Sequence, residues 1–332
     1  MHDPECYRLN RTGRCSALFA LFLFVMLTLC LHPERVCAAT AQCTVKLIDR
    51  QGQVVKKTKL SSGRVLRLPA VEDEQKYTFL GWDTKAGKGN NPRYIAGQTI
   101  RISRDLTLYG VYFKNDTEKN PGKTQITRLN RSKYSALILV GSSSVERTGK
   151  IMNGLDRQYC SLRDEYFLGK GGLRLSGFRN NSYANAGEQD LLALINKLST
   201  KRGKPVAVVF ALGRNDFYTG STEAFASAYA DYLDALAVRM AKYNVRLFFE
   251  SIWPVNEAIC KNRLQRRVLE FNEQMREFLP EDYTYIDMFT WMVKNGYSFR
   301  DAVGAKDDGL HFSSRTYKRM HDQRVRFLNK MT

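Results

Sequence analysis

Ser143 is the residue of this chain whose position best suits nucleophilic chemistry. It follows the apolar run 137–140 and a glycine, so we expect it in the turn after a buried strand, at the sheet edge where open α/β folds bind ligands. Its neighbours Ser142 and Ser144 are alternative nucleophiles. A serine needs a base, and the chain has only four histidines. His2 and His32 flank an N-terminal apolar segment, and His321 lies in a predicted basic helix at the C-terminal end. His311 is left as the candidate base.

Asp308 precedes His311 in the short segment Asp308-Gly309-Leu310-His311, so one loop can position both an acid and a base. Ser143 would attack an acyl carbon after His311 takes its proton, and Asp308 would hold the imidazole in the right tautomer. Candidate donors to the resulting oxyanion are the backbone N–H of Ser143, the backbone N–H of Gly172 and the side-chain amide of Asn215. The predicted chemistry is acyl transfer through a serine.

Four polar or glycine-rich clusters follow apolar runs in the C-terminal part of the chain. Taken singly they are weak evidence, because a block such as 213–216 could be an ordinary turn in which Asp216 or Thr219 caps the next helix. Four clusters opening onto one edge of a parallel sheet would converge in space. The clusters are Gly141-Ser142-Ser143, Gly171-Gly172, Gly213-Arg214-Asn215-Asp216 and Asp308-Gly309-Leu310-His311.

From residue 134 onward, strand patterns alternate with helix patterns, which indicates an α/β fold with a parallel sheet between two layers of helices. Apolar runs predict strands at 136–140, 166–168, 205–212, 245–252 and 283–287. Apolar residues at helical spacing predict helices at 187–198, 222–243, 262–279 and 313–328.

The blocks that carry Ser143, Asn215 and His311 resemble those of the SGNH (GDSL-like) hydrolase superfamily, over residues 134–332. The resemblance implies a flavodoxin-like three-layer fold and ester hydrolysis without a metal ion or other cofactor. It implies the same catalytic group of Ser143, Asp308 and His311, and an oxyanion hole of Ser143, Gly172 and Asn215. Residues 248–255 and the pair Phe271-Asn272 are similar to a bacterial extracellular branch of the superfamily.

Two positions depart from the superfamily pattern. Ser142 stands where the first block usually has aspartate, which leaves the nucleophile itself unchanged. The second block lacks an Asn-x-Gly signature; Gly172 fits it best by position, and Gly177 and Gly187 are alternatives. The nucleophile elbow of the α/β-hydrolases is disfavoured, because Val145 stands where its Gly-x-Ser-x-Gly pattern requires a second glycine.

Residues 43–114 have the short alternating runs and turns of a small β-rich domain. This segment resembles the Listeria-Bacteroides (internalin B-repeat) family, which implies a β-grasp-like surface module without chemistry of its own. The landmarks of the resemblance are Gly81-Trp82, Tyr94, Gly97 and Leu108-Tyr109. Trp82 and Tyr109 could stack on a carbohydrate, but core positions in a small domain explain them better. The polar residues 115–133 predict a linker between the two domains.

The first 42 residues have the layout of a secretory signal, with basic residues, an uncharged apolar run at 15–31 and small residues at 36–41. We expect a cleaved signal peptide; the alternative is an uncleaved anchor, which would be the chain's only link to a membrane. Either way the rest of the chain would be secreted or held at the cell surface. The remaining cysteines, Cys43, Cys160 and Cys260, are too few for a disulfide scaffold. Cys160 and Cys260 could form one bridge, and unpaired thiols are the alternative.

A formal net charge of +19 favours anionic partners. For an exported protein these are acidic glycans or cell-surface polymers rather than nucleic acid, for which no motif stands out. A generally cationic surface without a dedicated site is the alternative. We expect an extracellular serine esterase that removes acyl groups, above all O-acetyl, from a glycan or cell-wall polymer. The alternatives are a non-catalytic surface binding or adhesion protein and an O-acyltransferase that uses the same residues.

Overall fold

The computed structural model describes residues 41–71, 74, 76–87, 92–114, 126–152, 164–199, 203–260, 265–299 and 307–331. Residues 43–332 form one compact unit. The predicted signal segment lies outside the described residues except for its last two positions, and so do 115–125 of the predicted linker and Cys160. None of the helices described is long and apolar enough to cross a membrane.

The C-terminal part is built on five parallel strands. They are β8 (Ala136–Gly141), β9 (Glu165–Gly169), β10 (Val206–Ala211), β11 (Val245–Glu250) and β12 (Tyr283–Ile286). Their order across the sheet is β12-β11-β10-β8-β9, and every neighbouring pair is parallel. This is the 2-1-3-4-5 order of flavodoxin-like folds. β8 and β10 are buried along their whole length, which explains their uninterrupted apolar sequence. The prediction of a parallel sheet is confirmed.

Seven helices are described in this part of the chain. They are α1 (Ser143–Met152), α2 (Leu175–Arg179), α3 (Glu188–Ser199), α4 (Thr222–Met240), α5 (Gln265–Phe278), α6 (Met288–Asn295) and α7 (Ser314–Lys330). The four predicted helices are confirmed with ends that differ by at most three residues, whereas α1, α2 and α6 were not predicted. α1 lacks an apolar stripe because its buried face includes Ser144, Thr148 and Gly149. A Cβ at Gly149 would lie 2.9 Å from Cβ of Phe167 on β9, so small residues let this helix pack closely on the sheet.

Side-chain caps define where three of these helices begin. Ser221 accepts a hydrogen bond from the N–H of Ala224 at the start of α4. Asp287 and Ser313 play the same part for α6 and α7. The alternative interpretation of the 213–216 block, in which Asp216 or Thr219 caps the next helix, is therefore wrong in its cap.

Residues before 115 form a separate sheet of five strands. They are β1 (Gln42–Ile48), β2 (Val54–Ser61), β4 (Tyr77–Asp83), β5 (Tyr94–Ile95) and β7 (Leu106–Lys114), in the order β2-β1-β7-β4-β5. The short strands β3 (Val65–Arg67) and β6 (Thr99–Arg101) pair with each other. β1 and β7 pair in parallel, and β7 and β4 antiparallel. Trp82 is fully buried and its indole N–H donates to the carbonyl of Pro69 at 2.8 Å, so its interpretation as a core aromatic is confirmed.

Candidate active site

Ser143 lies at the topological switch point of the parallel sheet. β8 and β10 are neighbours there, while the chain continues from β8 to β9 on one side and from β10 to β11 on the other. β8 ends at Gly141 and α1 begins at Ser143. A Cβ at Gly141 would lie 2.4 Å from Cγ2 of Val145 and 3.0 Å from the carbonyl oxygen of Ala211, so this tight turn requires glycine. The nucleophile candidate thus stands at a helix N-terminus, where the first N–H groups have no partner within the helix.

The structure brings Ser143, His311 and Asp308 together in one hydrogen-bonded chain. Ser143 Oγ lies 2.8 Å from His311 Nε2, and His311 Nδ1 lies 2.6 Å from Asp308 Oδ2. The other carboxylate oxygen, Oδ1, accepts the backbone N–H groups of Leu310 at 2.9 Å and of His311 at 2.7 Å. Asp308 therefore holds both the imidazole ring and the backbone of the loop that carries it.

The surroundings favour an ionised Asp308 and a neutral His311. Burial raises the pKa of Asp308, but the hydrogen bonds from the His311 side chain and backbone outweigh it and hold that pKa well below its usual range. Burial lowers the pKa of His311, its bond to Asp308 raises it, and the charges of Arg214 and Arg147 lower it again. The net pKa of His311 lies below its ordinary value of 6.5, so at neutral pH the ring is free of the second proton and can accept one.

The two serines beside Ser143 are placed differently. Both are buried. The carbonyl of Ser142 accepts the N–H groups of Val145 and Glu146 at the start of α1. Ser144 Oγ accepts a hydrogen bond from Arg214 Nη1 at 3.1 Å. Of the three serines, Ser143 is the one for which the structure records a hydrogen bond to His311.

The loop after β9, residues 170–174, carries Gly172 and is held from both sides. From α1, the Glu146 carboxylate accepts the N–H of Gly171 at 2.8 Å. From the block after β10, the Asn215 amide donates to the carbonyl of Leu173 at 3.0 Å, and the Asp216 carboxylate accepts the N–H of Leu175 at 3.0 Å. Asn215 and Asp216 thus connect the second and third polar clusters of the sheet edge.

Gly172 stands exposed in this loop with φ of +74°, a conformation that favours glycine. The two alternatives for its place in the family pattern lie elsewhere. Gly177 is inside α2, and Gly187 precedes α3, where a Cβ would lie 2.3 Å from Oδ1 of Asn181. The roles of Gly172 and Asn215 as oxyanion donors stay predictions.

Arg214 is a buried cation next to the hydrogen-bonded chain of Ser143, His311 and Asp308. Its structural role was not predicted from the sequence. It is 3% exposed. Its guanidinium donates to Ser144 Oγ, to the carbonyl of Pro254 and to the carbonyl of Leu310, the residue directly before His311. The aromatic ring of Phe312 lies 5.3 Å from its Cζ atom. Arg214 therefore ties the loop of His311 to the loop of Ser143.

The sequence offered one signal for Arg214, namely an arginine two residues after the end of the apolar run 205–212. That signal is weak in a chain with 52 lysines and arginines, most of which belong on the surface. Burial distinguishes Arg214, and Arg324 of α7, from exposed lysines and arginines, and the burial of an arginine in a loop depends on tertiary packing. A guanidinium is suited to such a site, because its fork of donors can satisfy several carbonyl and hydroxyl oxygens together.

A second buried polar network lies under the sheet. Arg324 of α7 donates from Nε and Nη2 to both carboxylate oxygens of Glu250, and the indole N–H of Trp253 donates to Glu250 at 2.7 Å. His321 Nε2 lies 2.7 Å from a carboxylate oxygen of Glu165. These side chains are almost fully buried, so each charge depends on its partner, and the network fixes α7 against β9 and β11. In the described part of the chain, no three His, Cys, Asp or Glu side chains cluster as metal ligands would.

One family model and several solved structures are similar to this chain. The model of the GDSL-like lipase/acylhydrolase family matches residues 137–323. A lipase/acylhydrolase from Enterococcus faecalis has 17% identity and a TM-score of 0.37, with 58% of this chain and 95% of that one covered. A lipolytic protein of the G-D-S-L family from Veillonella parvula has 15% identity and a TM-score of 0.38, with 59% and 99% covered. No curated protein matches significantly. Because the family match spans more than half of the chain, the protein belongs to the GDSL-like lipase/acylhydrolase family and is an ester hydrolase.

Proposed function

We propose that the protein is an extracellular serine esterase that removes acyl groups, above all O-acetyl, from a glycan or cell-wall polymer. The observation that carries the catalytic part is the chain from Ser143 Oγ through His311 to Asp308, with distances of 2.8 and 2.6 Å. It has the order and connections of a serine nucleophile, a general base and an orienting carboxylate.

In the first half of the reaction, His311 Nε2 takes the proton of Ser143 while Ser143 Oγ attacks the acyl carbon. The imidazolium that forms is stabilised by Asp308, whose low pKa keeps it ionised. The tetrahedral intermediate collapses as the C–O bond to the alcohol breaks and His311 returns the proton to that oxygen. The products of this half are the free sugar hydroxyl and an acyl-enzyme on Ser143.

In the second half, water attacks the acyl carbon of the acyl-enzyme while His311 takes a proton from that water. The second tetrahedral intermediate collapses as the C–O bond to Ser143 Oγ breaks and His311 returns the proton to Oγ, which releases the carboxylic acid and the free serine. The oxyanion of both intermediates would be held by the N–H groups of Ser143 and Gly172 and the amide of Asn215. The loss of one such donor typically lowers turnover by about 100- to 1000-fold. Support for this assignment comes from the hydrogen bond that the Asn215 amide donates to the carbonyl of Leu173, the residue after Gly172.

The location and substrate class rest on the sequence. The N-terminal segment has the layout of a secretory signal, and the net charge of +19 favours anionic surface polymers. We also propose that residues 43–114 are a β-grasp-like module. The parallel pairing of the first strand, β1, with the last, β7, at the centre of the N-terminal sheet supports this proposal.

The esterase proposal is tested with p-nitrophenyl acetate and the chain from Cys43 onward, which includes the whole compact unit. We expect turnover in the parent, loss of turnover in Ser143→Ala, and labelling of Ser143 by a fluorophosphonate. Ser142→Ala is the matched control, because the backbone carbonyl that accepts the N–H groups of Val145 and Glu146 at the start of α1 is retained in alanine.

Release of acetate from O-acetylated polysaccharides, compared with their de-acetylated forms, then tests the substrate class. Turnover that survives in Ser143→Ala, or a parent that neither turns over the ester nor reacts with the fluorophosphonate, would contradict the proposed mechanism.

A further inference from the structure

An aromatic cluster connects the N-terminal sheet to Phe312, the residue that follows His311 in the chain. It consists of Phe113, Tyr297, Phe299 and Phe312. Phe113, at the end of β7, stacks on Tyr297 with ring centroids 4.4 Å apart and an interplanar angle of 20°. Tyr297 packs edge-on against Phe299 at 5.1 Å and against Phe312 at 5.7 Å, and Phe312 stacks on Phe299 at 5.3 Å. All four rings are almost fully buried, and Phe312 directly follows His311 in the chain.

A second connection runs through the buried side chain of Asn256, in the loop after β11. Its amide donates to the carbonyl of Glu74 in the N-terminal part at 3.1 Å. Its backbone N–H donates to the carbonyl of Gly309 at 2.8 Å. The two segments touch so closely that a Cβ at Gly309 would lie 2.6 Å from the carbonyl oxygen of Asn256. Gly309 stands between Asp308 and His311 in the sequence, so this path too ends in the catalytic loop.

We propose that the N-terminal sheet is a positioning part of the active site, which holds residues 307–312, the acid–base loop, at the right distance from Ser143. The proposal rests on the esterase function proposed above. Its physical basis is that the two hydrogen bonds of the catalytic group join residues at very different separations along the chain. The bond from His311 to Asp308 spans three residues and forms within the loop, whereas the bond from Ser143 to His311 joins residues 168 positions apart.

Only contacts from outside the acid–base loop can set the second of these distances. Such contacts include those of Trp253 and Tyr317 with Phe312, of Arg214 with the carbonyl of Leu310, of Asn256 with Gly309 and of the aromatic cluster with Phe312. The last two continue into the N-terminal sheet. A shift of about 1 Å in a catalytic group can lower the rate about 100-fold. Since Arg214 would remain in place, we expect roughly a tenfold loss of kcat when the aromatic cluster is opened.

The test uses Phe113→Leu in the chain from Cys43 onward, with Phe79→Leu as the matched control. Both phenylalanines are 2% exposed and lie in the same sheet, but the recorded ring contacts of Phe79 are with Trp82 and Tyr112, inside the N-terminal part. Tyr297→Leu opens the same stack from the opposite side, and Tyr297→Phe keeps the ring. All variants are assayed with p-nitrophenyl acetate at a temperature where each is shown to be folded.

We expect Phe113→Leu and Tyr297→Leu to lower kcat about tenfold with KM and the acidic pKa of the rate profile unchanged, because the bond between His311 and Asp308 is local. The double variant should lose little more than either single one, since both open one stack. Phe79→Leu should match the parent, and Tyr297→Phe should restore the rate. Equal losses in Phe113→Leu and Phe79→Leu would overturn the proposal, because they would indicate a general effect of stability.

Hydrogen exchange of the peptide 307–312 provides a readout that does not depend on activity. The N–H groups of Leu310 and His311 are bonded to Asp308, and we expect them to exchange faster in Phe113→Leu than in Phe79→Leu. Unchanged exchange in Phe113→Leu would refute the positioning role even if the parent had no esterase activity. A parent without Ser143-dependent turnover but with the expected exchange would refute the esterase proposal and leave the structural coupling supported.

Discussion

Replacement of Asp308 by asparagine tests the proposed mechanism at the point where the geometry makes the sharpest prediction. Asparagine can keep Oδ1, the oxygen that accepts the N–H groups of Leu310 and His311, so the fold of the acid–base loop is retained. It replaces Oδ2, 2.6 Å from His311 Nδ1, by an amide group that donates. The imidazole must then present an unprotonated Nδ1 and carry its proton on Nε2. In that tautomer it cannot accept the proton of Ser143.

The size of the effect follows from this change of tautomer. In serine hydrolases, the same replacement of the orienting carboxylate lowers kcat about 10⁴-fold while the geometry stays intact. At about 1.36 kcal/mol for each factor of ten, this is a rise of about 5.4 kcal/mol in the activation free energy. The loss of a carboxylate that raises the pKa of His311 should also move the acidic limb of the rate profile to lower pH.

The assay is kcat/KM for p-nitrophenyl acetate from pH 4 to 9, with Asp307→Asn as the control. Asp307 is the adjacent carboxylate in the same loop; it is exposed, and its Oδ1 accepts the N–H of Gly309 at 3.1 Å. Asp307→Asn removes the same charge and should keep the parent rate within about twofold, as expected for an exposed surface position. If folded Asp308→Asn retained rates within tenfold of the parent, Asp308 would not be the orienting carboxylate and the proposed relay would be wrong.

Three further predictions concern the surroundings of the site. The kcat/KM of the parent should fall as the pH drops through the pKa of His311, which lies below 6.5, because protonation removes the general base; a midpoint above 6.5 would contradict this. Arg214→Met should raise that midpoint, since it removes a nearby positive charge, and an unchanged or lower midpoint would show that this charge does not act on His311. Gly169→Ala should lower the unfolding free energy by about 1–3 kcal/mol in denaturant titrations, because its Cβ would lie 2.6 Å from the backbone nitrogen of Glu146. Gly171→Ala is its control, since that Cβ would meet the Glu146 carboxylate at an ordinary 3.4 Å, and equal destabilisation would refute the packing argument.

Much of the C-terminal fold could be predicted because its signals are local. The runs at 136–140 and 205–212 are apolar throughout, as expected for parallel strands that are buried on both faces, and they are β8 and β10 of the structure. α1 escaped prediction because its buried face consists largely of small and polar residues, which produce no apolar stripe. α2 has five residues, too few for a helical period to be recognised.

The candidate site likewise has a part that local sequence signals predict and a part that depends on tertiary contacts. The chemistry of Ser143, Asp308 and His311 can be read from residue types, because few alternatives exist in a chain with four histidines. Two hydrogen bonds could not be predicted, the one between Asn215 and Leu173 and the one between Glu146 and Gly171. These pairs lie 42 and 25 residues apart and meet only when the strands are side by side.

The sequence by itself determined the types of the main elements, the family and the pairing of Asp308 with His311. These depend on short-range periodicity and on residues within one loop, where the chain has little freedom. Only the tertiary structure decided that Ser143 meets His311 across 168 residues, that Arg214 is buried between their loops, and that Phe113 of the N-terminal sheet reaches the aromatic cluster beside His311. The physical reason is that sheet order and side-chain packing set these distances, and neither is encoded in the spacing of residues along the chain.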